Sequence, residues 1–247
     1  MWCWRSVRSR SAVFAVLFAT CAAWYAQAPP TTALPRTTDG HPDFNGVWSG
    51  RGHANLAADL PGGPPFTESG KAAYRDVKNQ YDPTGFCLFP GVTRITNSPY
   101  PIEIVETAQR VAILYEYMHT FRVIPLNGRA HSQDPNPSFF GESVGKWEGD
   151  TLVVDVIGFN DRSWLDAYGT PHTEDLHLTE RYQLSDPDHL RYEVTIEDPK
   201  MYTKPWKSSM VFTRRRDWDL IEYSCDENNK DRDGHHFQPG PSIPRAR

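Results

Sequence analysis

The sequence is poor in several things, and each shortage removes a class of function. Its longest apolar run, Ala12 to Ala23, is too short for a membrane span, which takes about 20 residues. Positive charge is scarce: 26 Lys and Arg stand against 31 Asp and Glu, for a net charge of −5. Phosphate binding needs clustered Lys and Arg. The one basic run, Arg214-Arg215-Arg216, is followed at once by Asp217 and Asp219, as at a solvated hairpin end. Nucleic acid is therefore not expected as a partner. The chain has no G-x-S-x-G nucleophile elbow, no glycine-rich phosphate loop before a helix, and no dinucleotide fingerprint. No stretch has the apolar spacing of a long amphipathic helix. Only four cysteines are present, none in a C-x-x-C.

What is there begins with an address. The chain opens MWCWRSVRSR, with Arg5, Arg8 and Arg10 and no acid, then the apolar run, then Ala26-Gln27-Ala28. A basic head, a short apolar stretch and an A-x-A ending read as a secretory signal over residues 1–28. An uncleaved anchor and a lipid on Cys21 are the weaker alternatives. Pro29 is unfavourable after the cut and shifts it by a few residues. Losing this segment removes three arginines and no acid, taking the net charge to −8. The expected location is periplasmic or secreted, with no stable membrane insertion after cleavage. Cys3 and Cys21 leave with the signal. Cys87 and Cys225 remain, and two cysteines in an oxidising compartment most often pair.

Residues 29–45 are rich in Pro and Thr and predict an extended lead-in. The folded part, residues 46–247, then reads as one domain. Residues 51–100 are irregular, with Pro61-Gly62-Gly63-Pro64-Pro65 and one short helix over Thr67 to Val77. From residue 101 the apolar period becomes two. Ile102 and Ile104 flank Glu103, and Ile113, Tyr115 and Tyr117 share a face. Asn127-Gly128 is a hairpin signal. KWEGDTLVVDVIGF gives two strands about a turn at Glu148-Gly149-Asp150. Leu176 to Leu184 and Leu190 to Ile196 alternate on either side of Ser185-Asp186-Pro187-Asp188. Strands near Ser208 to Arg214 and Leu220 to Cys225 close the list. About eight to ten strands with local connections fit an up-and-down barrel. The fold class expected is all-β, a lipocalin-like (calycin-type) antiparallel barrel with an irregular N-terminal wrap. A β-sandwich is the alternative.

Three features carry the candidate chemistry. Residues 160–175, NDRSWLDAYGTPHTED, make a loop longer than compact domains usually hold without a function. It carries Trp164, Leu165 and Tyr168 beside Asp161, Arg162, Asp166, His172 and Glu174. That mixture suits a lid or pocket mouth; a packed surface loop is the plain alternative. Second, Glu180 shares parity with Leu176, Leu178, Tyr182 and Leu184, so it points inward. The same parity, continued along an extended chain, takes in Glu174 and His172. A buried carboxylate is poised for acid–base work unless it pairs with an arginine such as Arg122 or Arg129. Glu222 beside Leu220 has the same ambiguity. Third, His172 and His177, with His131, resemble a metal-ligand set. Residues five apart do not share a face, so a divalent metal is only the minor alternative and no cofactor is expected.

Several stretches together resemble one family. They are PDFNGVW, the Cys87 segment, NGRAH at 127–131, WEGDTLVVDVIGFND, PHTEDLHLTERY, DPKMYTKPW and EYSCDEN. They are similar to a family of exported bacterial proteins of uncharacterised function. The resemblance spans nearly all of the chain after residue 28. It implies export and a single domain, and it carries over no activity or fold.

The expectation is an exported, cofactor-independent acid–base enzyme, a lyase, isomerase, cyclase or hydratase, acting on a small, partly apolar molecule in a barrel pocket. His172 would shuttle the proton, with Glu180, His131, Asp161 or Glu174 as partner. Arg129 or Lys204 would hold an anionic group, and Trp164, Tyr202 and Trp206 would pack on the substrate. One alternative is a periplasmic carrier or sensor of an apolar ligand. The other is a metal-dependent hydrolase.

Overall fold

A computed structural model of the chain describes residues 33–227, apart from 51, 78 and 79. The predicted export signal lies outside these residues. The described part is mostly β, with nine strands: β1 (Gly46–Gly50), β2 (Ile102–Thr107), β3 (Arg110–Tyr115), β4 (Thr120–Pro125), β5 (Glu142–Glu148), β6 (Thr151–Ile157), β7 (His177–Asp186), β8 (His189–Glu197) and β9 (Trp206–Arg215). Two helices, α1 (Glu68–Asp76) and α2 (Val92–Thr96), lie between β1 and β2. Among the described residues no helix is long and apolar enough to cross a membrane.

The strands form one sheet in the order β4-β3-β2-β1-β9-β8-β7-β6-β5, and every laddered pair is antiparallel. This is the expected meander, curled until β1 pairs with β9. The two ends of the sheet, β4 and β5, then meet as a seam. A Cβ added at Gly145 of β5 would fall 2.7 Å from Ile124 of β4. An odd number of up-and-down strands forces one neighbouring pair to run the same way, and that pair is β4 and β5. No ladder joins them, so the barrel is nearly closed. Parallel neighbours need a long crossover, and residues 126–141 supply it. Asn127-Gly128 therefore opens this crossover with a bend and does not make the expected hairpin; Gly128 has φ +72°.

Period-two patterning explains the interior. In β7 Leu178, Glu180, Tyr182 and Leu184 are buried while Gln183 and Ser185 are exposed. In β8 the buried set is Leu190, Tyr192, Val194 and Ile196. Rings of Trp48, Tyr115, Tyr182, Tyr192 and Phe212 fill much of the space between them. They belong to one continuous core with Ile102, Ile104, Ile113 and Ile124.

The two ends of the barrel differ. One carries the tight turns between β2 and β3, β5 and β6, and β7 and β8. The lead-in crosses this end and is not simply extended. Arg36 and Pro42 bridge across a small loop, Arg36 grips Asp150 with two hydrogen bonds of 2.9 Å, His41 stacks on Trp147 and Phe44 is fully buried. The other end, the mouth, is covered by residues 52–77, 80–101, 158–176 and 198–205. There α1 begins as expected, with the Thr67 side chain accepting from Gly70 N.

No strand forms at Leu220 to Cys225. The reason is local: β9 already has β8 on one side and β1 on the other. The tail instead crosses to the mouth, where Cys225 is bonded to Cys87, 138 residues away in sequence.

Candidate functional site

The predicted site residues separate into distinct environments. Glu180 and Arg122 lie inside the barrel at 0 and 4 % side-chain exposure. Arg122 Nη2 donates to Glu180 Oε2 at 2.5 Å, and the hydroxyls of Tyr182 and Tyr192 donate to Oε1 at 3.0 Å each. Burial alone would depress the Arg122 guanidinium, but the Glu180 charge outweighs this and holds it well above its usual range. Burial, then the Glu180 charge, pushes both tyrosine hydroxyls far upward. The inward parity of Glu180 and its pairing with Arg122 were both among the sequence alternatives. The pairing makes Glu180 a charge-compensated strut.

His172 belongs to the mouth. Its Nε2 lies 3.0 Å from Ser163 Oγ and its Nδ1 lies 3.1 Å from the Thr173 carbonyl. Burial lowers its pKa, against the opposing Thr173 contact. Asp161 and Glu174 are exposed. The parity argument fails at Glu174 because the chain turns at Glu174-Asp175 before β7 begins.

His131 lies on the outer wall. Its Nε2 meets Asp155 Oδ2 at 2.8 Å, while His177 Nε2 meets Asp155 Oδ1 at 2.7 Å. Desolvation opposes the ionised Asp155, yet the hydrogen bonds of His177 and His131 hold its pKa below the usual value. Asp155 and His177 were missed as partners, although both sit opposite in parity to the core residues Val154 and Leu178. His172, His177 and His131 do not gather: among the described residues no group of three or more His, Cys, Asp or Glu is placed to hold a metal ion.

Of the expected substrate contacts, Arg129 is an exposed partner of Glu142, and Lys204 is exposed. Tyr202 packs between Phe66 and Trp206, with ring centroids 5.5 and 5.4 Å away, and its hydroxyl donates to the Pro171 carbonyl at 2.6 Å. It plugs the barrel end. Trp164 lies 5.9 Å from the Arg94 guanidinium, one layer behind the cleft described next. Among the described residues His131, His172, Glu174 and Glu180 share no hydrogen-bond partner.

The mouth holds a cleft of about 700 Å³, lined by Gly52, His53, Ala54, Arg94, Asn97, Ser98, Pro99, Tyr100, Tyr117, Asp166, Ala167 and Tyr223. Its wall is aromatic. Tyr100 and Tyr117 stack at 5.0 Å with an interplanar angle of 5°, and Tyr223 sets its edge against both. Local chemistry fixes this wall. Arg94 grips Asp82 with bonds of 2.8 and 2.6 Å, which anchors the turn Pro83–Phe86 carrying Cys87 toward the disulfide. Desolvation opposes charge on Asp82, but Arg94 holds its pKa below the usual value. The Cys87–Cys225 bond and a Glu116 carboxylate accepting from Ile221 N at 3.1 Å hold the tail that supplies Tyr223.

Asp166 shapes the other side. Its carboxylate accepts from the backbone of Leu56, Tyr168 and Thr170 and from the Thr170 hydroxyl; burial raises its pKa against those bonds. The flagged loop 160–175 is thus both packed and part of a pocket mouth. None of the residues singled out for catalysis or substrate contact lines the cleft. Its walls come from five separated segments, and two signals pointed to it: the long loop 160–175, which supplies Asp166 and Ala167, and the cysteine pairing, which brings Tyr223 to the neighbourhood of Cys87.

No protein-family model and no curated protein matches the chain. Among solved structures the chain is similar to a point mutant of the fluorescent protein UnaG, at 12 % identity, with a TM-score of 0.33 over 69 % of this chain and 95 % of that one. A likeness this weak adds nothing to the strand registers, on which the barrel assignment rests.

Proposed function

We propose that the protein is an exported carrier or sensor that holds a small, partly apolar molecule in the mouth cleft. The observation that carries this reading is the wall of Tyr100, Tyr117 and Tyr223 around a cleft of about 700 Å³. That volume falls in the range of small-ligand sites, which combine apolar and aromatic walls with a few polar groups. Here the polar groups are His53, Arg94, Asn97, Ser98 and Asp166. The bond between Cys87 and Cys225 fits an oxidising compartment, in keeping with the predicted signal.

The carrier reading is better supported than the acid–base enzyme, because the titratable groups expected to cooperate sit in the barrel, in the mouth plug and on the outer wall. Titrating the purified chain with 2-ethylnaphthalene, followed by intrinsic fluorescence, tests it. Saturable binding is expected, with Tyr100→Ala weakening it about 10-fold through loss of a stacking ring. No binding, or binding indifferent to Tyr100 and Tyr117, would exclude this cleft as the site.

A further inference from the structure

Buried polar groups in folded proteins are almost always hydrogen-bonded, and each exception calls for an explanation. Here several exceptions fall together. The Arg122 Nε and Nη1 groups are buried without a hydrogen-bond partner in the protein, and the buried Thr96 and Tyr115 hydroxyls have none beyond each other. Their residues are only 1, 2 and 4 % exposed. They are also neighbours. The Tyr115 hydroxyl faces Thr96 and lies within electrostatic reach of Arg122 and Glu180. Thr96 is the last residue of α2, and the next residue, Asn97, lines the mouth cleft. The Asn97 amide is oriented by donation from Nδ2 to the Thr93 carbonyl at 2.9 Å, which leaves its Oδ1 without a partner too. Polar atoms with unused hydrogen-bonding capacity therefore run from the cleft, past the end of α2, to the guanidinium inside the barrel.

We infer that this polar track is a second, interior part of the binding site, which receives a hydrogen-bond-accepting oxygen of the ligand from Tyr115 and Arg122. The inference rests on the cleft reading and sharpens it to a ligand class: a flat apolar body for the tyrosine wall, bearing a carbonyl or hydroxyl oxygen at one end. A neutral head is favoured over an anion. Glu180 already neutralises Arg122 at 2.5 Å, so the remaining N–H groups offer hydrogen bonds without a net positive charge. The rings that fill the barrel leave the apolar body outside, and only the head group reaches under α2.

The test compares two probes of nearly equal shape, 2-acetonaphthone with a carbonyl and 2-ethylnaphthalene without one, on the full chain by titration calorimetry. The wild type is expected to bind the ketone about 5-fold more tightly, the worth of one net hydrogen bond. Tyr115→Phe and Thr96→Val should each bring that ratio toward one while leaving 2-ethylnaphthalene affinity unchanged. Tyr115→Phe should leave the melting temperature nearly unchanged, since the hydroxyl it removes meets no protein group but the Thr96 hydroxyl. Equal affinity of both probes in the wild type, with Tyr100→Ala weakening both, would overturn the interior site and leave the cleft reading intact. A Tyr115→Phe protein that melts several degrees lower with its probe preference unchanged would make the hydroxyl structural and also overturn it. Failure of both probes to bind would remove the cleft reading and this inference with it.

Discussion

Asp155 on β6 and Glu180 on β7 are carboxylates on neighbouring strands, and the wall between them makes them different objects. Glu180 faces in, with an arginine and two tyrosine hydroxyls around it. Asp155 faces out, holding an imidazole on each oxygen at 2.8 and 2.7 Å, with 41 % of its side chain exposed. Both have short, well-directed partners. Inside, those partners are what make the charge tolerable; outside, water would do nearly as well. A third carboxylate falls between them. Glu106 at the turn end accepts from Phe44 N, and desolvation, with Asp43 and Asp39 nearby, raises its pKa to about 7.

The comparison breaks most decisively at Glu180. Glu180→Leu strands the Arg122 charge and is expected to cost about 3–5 kcal/mol in denaturant unfolding, whereas Arg122→Met/Glu180→Leu should recover most of that. A single substitution costing under about 1 kcal/mol would mean the pair is wetter than its burial implies.

Glu106 gives an intermediate and pH-dependent effect. Its folded pKa lies above the ordinary 4.5, so the unfolded chain ionises first as pH rises. Its contribution is fully present below about 4.5 and is lost as pH climbs through about 7. After allowance for its partial exposure this amounts to about 1–2 kcal/mol. Unfolding free energies measured across that window should fall with pH in the wild type and flatten in Glu106→Gln; parallel profiles would contradict the shift.

Asp155 should matter least. Its folded pKa is depressed, so its stabilisation is present above the ordinary carboxylate range and disappears as pH drops through the folded value. Asp155→Asn is expected to cost under about 1 kcal/mol at neutral pH, and less in high salt. A loss near that of Glu180→Leu would show that the two faces of the wall are not distinct after all.

The same contrast explains what the sequence made legible. Strands declare themselves by alternation, so β2, β3 and β6 to β9, the inward Glu180 and its Arg122 partner could all be read. Alternation says nothing once the chain stops being extended, which is why Glu174 was placed inward and is exposed. Nor does it count neighbours: Leu220 to Cys225 has strand-like composition, but β9 has no free edge for it. Asn127-Gly128 has the composition of a hairpin turn, yet the odd strand number puts a crossover there and the pair only bends the chain into it. The loop 160–175 marked one side of the cleft, but its aromatic wall was illegible for a different reason. Tyr100, Tyr117 and Tyr223 are ordinary residues in their own segments and become a wall only through barrel closure and a disulfide.

That disulfide has a topological consequence. The covalent ring it closes runs from Cys87 to Cys225 and encloses β2 through β9. β1, wedged between β2 and β9, is the one described strand outside it. The barrel is therefore a covalent ring of eight strands completed by a ninth that enters from the free side, and its keystone is the first of the described strands.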